Sequence, residues 1–145
     1  MVDVSSKEVT QRKASALSRV CFPQTVWTAL EESGFATSKG SIIDVAIIAG
    51  TTGVKQTANL IPFCHLLPID SCKFATTTDP ESCCIEFTCT VTCTGRTGVE
   101  MEALTGASVA ALALYDMTKA LGHDIVIEAV QLLSKSGGKK DFGSV

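Results

Sequence analysis

Three carboxylates and a lysine stand out in the segment GRTGVEMEALTGASVAALALYDMTKAL, residues 95–121, where most other side chains are apolar. Asp116 and Lys119 are three residues apart, so on a helix they lie side by side. Two chemistries fit that spacing. A solvated ion pair is the commoner one, and such pairs contribute little. The other is an acid/base pair, in which burial on an apolar helix tunes the proton affinity of the lysine as proton transfer requires. Two further groups invite the same question. In LLSKSGGKK, residues 132–140, paired glycines free backbone amides and lysines supply charge, as in a phosphate cradle. The run lacks P-loop spacing, and a flexible, solvated tail is the alternative. His65, in LIPFCH, follows a helix end; it is either a satisfied structural histidine or a reactive one held rigid by Pro62.

The elements that would position these groups follow from pattern. Thr97 to Glu100 has capping-box spacing, and Met101, Leu104, Ser108, Leu112 and Tyr115 recur at steps of three and four, predicting a helix over 100–121 with those residues buried. Ala103, Gly106, Ala107, Ala110, Ala111 and Ala113 allow close approach to a sheet or a second helix. Pro23 opens a helix through Glu32 with Gly34 beyond its end, and residues 41–60 predict a buried helix closed by Pro62. Residues 84–94 alternate strictly, placing Ile85, Phe87, Cys89, Val91 and Cys93 on one face of a half-buried strand. Partner strands are expected over 69–76 and 125–133, with Asp79-Pro80 in a turn. Mixed strands and helices without regular βαβ alternation predict an α+β sandwich, helices on one face of an antiparallel sheet.

Composition narrows the function. At 145 residues, 46% hydrophobic and 19% charged, the chain is one globular domain over 1–145. A net charge of −3 offers no basic field for nucleic acid. No apolar run approaches the ~20 residues of a bilayer span. The N-terminus, MVDVSSKEVT, has neither a signal core nor an amphipathic presequence, so the expected location is the cytoplasm, a removed presequence being invisible. Seven cysteines, an odd number without Cys-x-x-Cys, predict reduced thiols that take no part in chemistry. With only two histidines, no resident metal or other cofactor is expected.

The ordered pieces MVDVS (1–5), KG (39–40), IAG (48–50), LIPxCH (60–65), TGVEMEALT (97–105), ASVAAL (107–112), YDMTKA (115–120) and KSGGK (135–139) resemble the MoaC family, the cyclic pyranopterin monophosphate synthases of molybdenum cofactor biosynthesis. The resemblance implies a ferredoxin-like subunit and a homohexamer, a trimer of dimers, with active sites at subunit interfaces. It implies catalytic roles for Lys39, Lys119 and Asp116, and substrate contacts at His65, Glu100, Met101, Glu102, Lys135 and Arg12. The implied substrate is a cyclised dihydroguanosine triphosphate supplied by a radical-SAM GTP cyclase, and the products are a pterin with a cyclic phosphate and pyrophosphate. Opening the purine ring and reclosing it on the sugar moves several protons, work suited to lysines and carboxylates.

The chain departs from the family at Leu66, where proline is usual, at Ser41 in place of aspartate, and at Ile47 in place of a basic residue. A non-catalytic phosphate- or nucleotide-binding oligomer on the same scaffold is therefore the rival reading. A thiol redox or metal protein is disfavoured by the cysteine spacing. Glu102 and Asp116 are fourteen residues apart, about 21 Å along one straight helix. Either the helix starts after Glu102, or one site draws these residues from two subunits, the arrangement expected here.

Overall fold

Strict alternation across residues 84–94 becomes a central strand with Ile85, Phe87, Cys89, Val91 and Cys93 fully buried. The computed structural model describes residues 1–143. In chain order its elements are β1 (Thr10–Cys21), α1 (Gln24–Glu32), β2 (Ala36–Thr37), β3 (Gly40–Ser41), α2 (Ile42–Leu60), β4 (Ile69–Asp79), β5 (Cys84–Gly95), α3 (Glu100–Thr118) and β6 (Val126–Ser136). The four long strands form one antiparallel sheet in the order β4-β5-β1-β6. With α2 and α3 packed on it, the larger elements run β-α-β-β-α-β, the ferredoxin-like arrangement. No helix among the described residues is long and apolar enough to cross a membrane.

The helix layer is held by small residues. A Cβ on Gly50 of α2 would lie 2.8 Å from the Gly106 carbonyl of α3, and one on Gly106 would lie 2.6 Å from Val54 and 2.7 Å from the Cys89 sulfur. These glycines let two helix backbones and the sheet meet without intervening side chains.

That close packing corrects the expected face of α3. Ala103, Ala107, Ala110, Ala111 and Leu114 are fully buried, whereas Met101 and Leu112 are exposed and Leu104, Ser108 and Tyr115 only half-buried. Two stripes share the helical spacing, and the smaller side chains win the core because there is no room for larger ones. The capping box does not form either: Val99 is the N-cap, without a side-chain hydrogen bond, and the helix ends at Thr118. Strand β1 carried no clear pattern. Its inward residues are Ala14, Ala16, Ser18 and Val20, small because α3 crosses above them, and Arg12, Lys13 and Arg19 interrupt the run.

The expectation of seven reduced cysteines is also corrected. Cys21 and Cys84 are direct partners across β1 and β5, 4.2 Å apart at Cα, and form a disulfide. They are 63 positions apart in sequence, so only strand register brings them together. Cys64, Cys72, Cys83, Cys89 and Cys93 are free.

Candidate active site

One group of chemically capable residues gathers at the C-terminal end of α3. Asp116 accepts from Lys119 at 2.6 Å through Oδ1, and Lys39 approaches its Oδ2 at 3.9 Å. Lys39 arrives from the turn between β2 and β3, where Gly40 has φ +110°, a conformation suited to glycine. The hydrogen bond from Lys119, reinforced by the charges of Lys119 and Lys39, holds the Asp116 carboxyl below its ordinary range. The reciprocal bond raises Lys119. All three side chains are more than half exposed, so in a single chain it is pairing rather than burial that shifts Asp116 and Lys119.

A second group forms at the other end of the same helix. Lys135 of β6 donates to Glu100 at 2.9 Å beside a cavity of about 620 Å³ lined by Arg12, Arg96, Lys7 and Lys139. Arg12 is aimed by its own hydrogen bonds to the carbonyls of Gly95 (3.3 Å) and Arg96 (3.4 Å). The KSGGK run is folded rather than trailing. Thr10 donates to the Gly137 carbonyl at 2.7 Å, Phe142 pairs back on Lys135, and a side chain on Gly137 would strike the Gln11 carbonyl. Burial opposes ionisation of Glu100, but the hydrogen bond from Lys135 and the positive charges of Lys135 and Arg12 outweigh it, leaving its pKa lowered.

Glu102 behaves oppositely. It is 4% exposed, and burial, assisted by the charge of Glu100, raises its pKa. It lines a neighbouring cavity of about 330 Å³ with His65, Met101 and Cys64. Thr97, Gly98 and Glu100 line both cavities, which makes them one continuous surface. Two adjacent carboxyls driven apart in proton affinity are the pattern from which an acid and a base are drawn.

The nine expected residues therefore fall into two groups. Arg12, His65, Glu100, Met101, Glu102 and Lys135 lie around the joined cavities, and Lys39, Asp116 and Lys119 lie at the far end of α3. The helix is continuous from Glu100 to Thr118, so it does not begin after Glu102. Lys7 and Arg96 were not singled out from sequence, and Thr97 only as a helix cap, although Arg96 directly precedes the acidic motif and its charge was the available signal.

The MoaC family profile matches residues 1–138. The chain belongs to the MoaC family. It is 56% identical over 144 residues to a cyclic pyranopterin monophosphate synthase of Xanthomonas axonopodis pv. citri (strain 306), covering 99% of this chain and 87% of that one. A synthase of the same name from Chloroflexus aggregans is 44% identical, covering 96% and 83%. Molybdenum cofactor biosynthesis protein 1 of Drosophila melanogaster is 48% identical over 142 residues, 98% of this chain but 25% of that longer protein.

One departure from the MoaC pattern is structurally neutral. Ser41 caps α2, its hydroxyl accepting from the Asp44 amide at 3.2 Å, a task serine and aspartate perform about equally well. Ile47 is half-buried and packs against the core. Leu66 stands 82% exposed beside His65, leaving that loop without the stiffening proline.

Proposed function

We propose that the chain is a cyclic pyranopterin monophosphate synthase, a lyase that converts the cyclised dihydroguanosine triphosphate to the cyclic pterin phosphate with release of pyrophosphate. The observation that carries the reading is the meeting of Lys39, Asp116 and Lys119, drawn from two separate motifs to one carboxylate. In this reading Lys119 and Lys39 move protons during ring opening and reclosure, and Asp116 orients them and stabilises their charged forms. Arg12, Lys135 and the KSGGK turn bind the phosphates, while His65, Met101 and Glu102 contact the ring system. A radical-SAM GTP cyclase supplies the substrate, and no resident metal is invoked.

The active unit is an oligomer, a trimer of dimers in the family's manner. Both ends of α3 are needed, yet about 21 Å separates Glu102 from Asp116 along the helix, so one small substrate meets them only if two subunits contribute. The exposure of Lys39, Asp116 and Lys119 supports this, as does the apolar surface nearby, with Leu112 58% and Ile48 67% exposed. Covering by a neighbour would supply the desolvation that the single chain lacks. The test is to incubate the protein with the cyclised triphosphate and follow pyrophosphate release and the fluorescent pterin formed on oxidation. Turnover supports the synthase; tight binding with no product would make the chain a phosphate-binding scaffold.

A further inference from the structure

Residues 1–9 precede β1 and belong to no helix or strand, yet two side chains of the joined cavities hold them. Arg96 donates from Nε to the Lys7 carbonyl at 3.2 Å, and His65 Nε2 lies 2.9 Å from the Val2 carbonyl. Between these anchors the segment turns on itself, Lys7 N donating to Val4 O at 3.1 Å and Ser5 N to the Asp3 carboxylate at 2.8 Å. One anchor stands at the cationic cavity and the other at the ring cavity. The segment therefore spans the seam between them.

The second anchor fixes a proton. A carbonyl oxygen only accepts, so His65 Nε2 carries hydrogen in this contact. In the neutral imidazole that leaves Nδ1 as the acceptor. His65 is half-buried, but two neighbours in its loop turn outward, Phe63 77% and Leu66 82% exposed. The usual proline, absent at position 66, cannot stiffen it. A backbone carbonyl delivered from another part of the chain can fix such a ring, as partner groups fix histidines in other polar sites.

We propose that residues 1–9 form a strap that completes the site: Arg96 is the positioning residue that anchors it, and the Val2 carbonyl orients His65 so that Nδ1 is free to accept a hydrogen bond or proton from the substrate. This rests on the synthase reading. Arg96 acts through the Lys7 backbone, and its loss leaves His65 present but free to rotate. Loss of residues 2–5 acts on kcat rather than on substrate capture, because the cationic cavity then keeps Arg12, Arg96 and Lys135, whereas Arg96→Ala also takes a cation from that cavity and raises KM.

The experiment uses 15N-histidine-labelled protein, which has only His65 and His123 to resolve, with His123→Gln to assign them. The full chain is compared with a chain lacking residues 2–5 and with Arg96→Ala and Arg96→Lys. The full chain is expected to show a slowly exchanging Nε2-bound proton on His65 that the shortened chain loses. Its kcat is expected to fall about tenfold, part of what a positioned acid or base contributes, with KM for the triphosphate nearly unchanged. Arg96→Ala should lose the same signal, and Arg96→Lys, which keeps a donor, should recover part of it. Melting temperatures identify misfolding, and if the shortened chain is destabilised the two Arg96 variants decide. Unchanged kcat and an unchanged His65 signal in the shortened chain and in Arg96→Ala, with the wild-type protein turning over, would overturn the strap and leave the synthase standing. Loss of the signal in a protein without turnover would leave the strap standing and remove the synthase.

Discussion

The two ends of α3 solve the problem of setting proton affinity in opposite ways. At the C-terminal end, Asp116 and Lys119 stand in water and each shifts the other by direct pairing, so both are charged. At the N-terminal end, Glu100 is kept ionised by Lys135 while Glu102, two residues on and buried, is pushed toward its neutral form. Pairing holds a charge in place; desolvation moves the pH at which a carboxyl gains or loses its proton upward. An exposed pair acquires the second property only when something covers it.

The sharpest break in that comparison is Lys119→Ala. Turnover should fall by about a thousandfold or more, the upper range for a positioned acid or base. Stability should hardly change, because exposed ion pairs contribute little. Equal losses of activity and melting temperature would mean that the C-terminal cluster is structural. Whether the ends serve one site is tested by mixing inactive Glu102→Ala and Asp116→Ala chains after dissociation and reassembly. If a site takes one residue from each of two subunits, random pairing leaves both carboxylates intact in about a quarter of sites, and about that fraction of activity should return. Mixed oligomers with no recovered activity would place both carboxylates in one chain's pocket.

A control that touches neither end is the Cys21–Cys84 disulfide. Closing a 63-residue separation is worth about 4 kcal/mol by the loop-entropy account. Cys84→Ser, or reductant, should lower stability by up to that amount while kcat of the remaining folded protein stays unchanged. Thiol titration of the denatured, unreduced protein should find five free thiols, not seven. A fall in kcat alongside stability would show that the sheet end near α1 communicates with the Lys39 turn.

How far the chain declared itself depends on what kind of pattern each part carries. Strand β5 alternates large and polar residues and was readable at once, as were the helices that became α1 and α2. Strand β1 was not, because α3 lies so close that its inward positions are reduced to Ala14, Ala16 and Ser18, which have no strand signature. The same crowding put small residues rather than Leu112 on the buried face of α3. Asp116 and Lys119 were visible as a pair from spacing alone, and of the two readings the solvated pair is the one the single chain shows; the approach of Lys39 was not encoded in that spacing. Likewise, Cys21 meets Cys84 through strand register and Lys135 of β6 meets Glu100 through the packing of α3 on the sheet, long-range products that local periodicity does not encode.

The finest test compares Glu102 with Glu100 by pH. The folded pKa of Glu102 is raised above its ordinary value of 4.5, so its favourable contribution is complete below 4.5 and lost as pH rises through the folded pKa. Where Glu102 is ionised the buried carboxylate is a burden, so Glu102→Gln should gain stability over wild type as pH rises through the folded pKa, by about 3 °C in melting temperature once that titration is complete, the scale of a change of about 1 kcal/mol in a chain of this size. That advantage should vanish below pH 4.5, where wild-type Glu102 is already neutral. For Glu100 the sign reverses: its folded pKa is lowered, so its contribution is present above 4.5 and lost as pH falls through the folded pKa. Glu100→Gln should therefore be slightly less stable than wild type at pH 7 and converge with it in acid, the effect kept small by solvent around the Lys135 pair. Parallel rather than opposite pH profiles for the two variants would mean that the first turn of α3 does not separate Glu100 and Glu102 into a charged anchor and a proton-holding group.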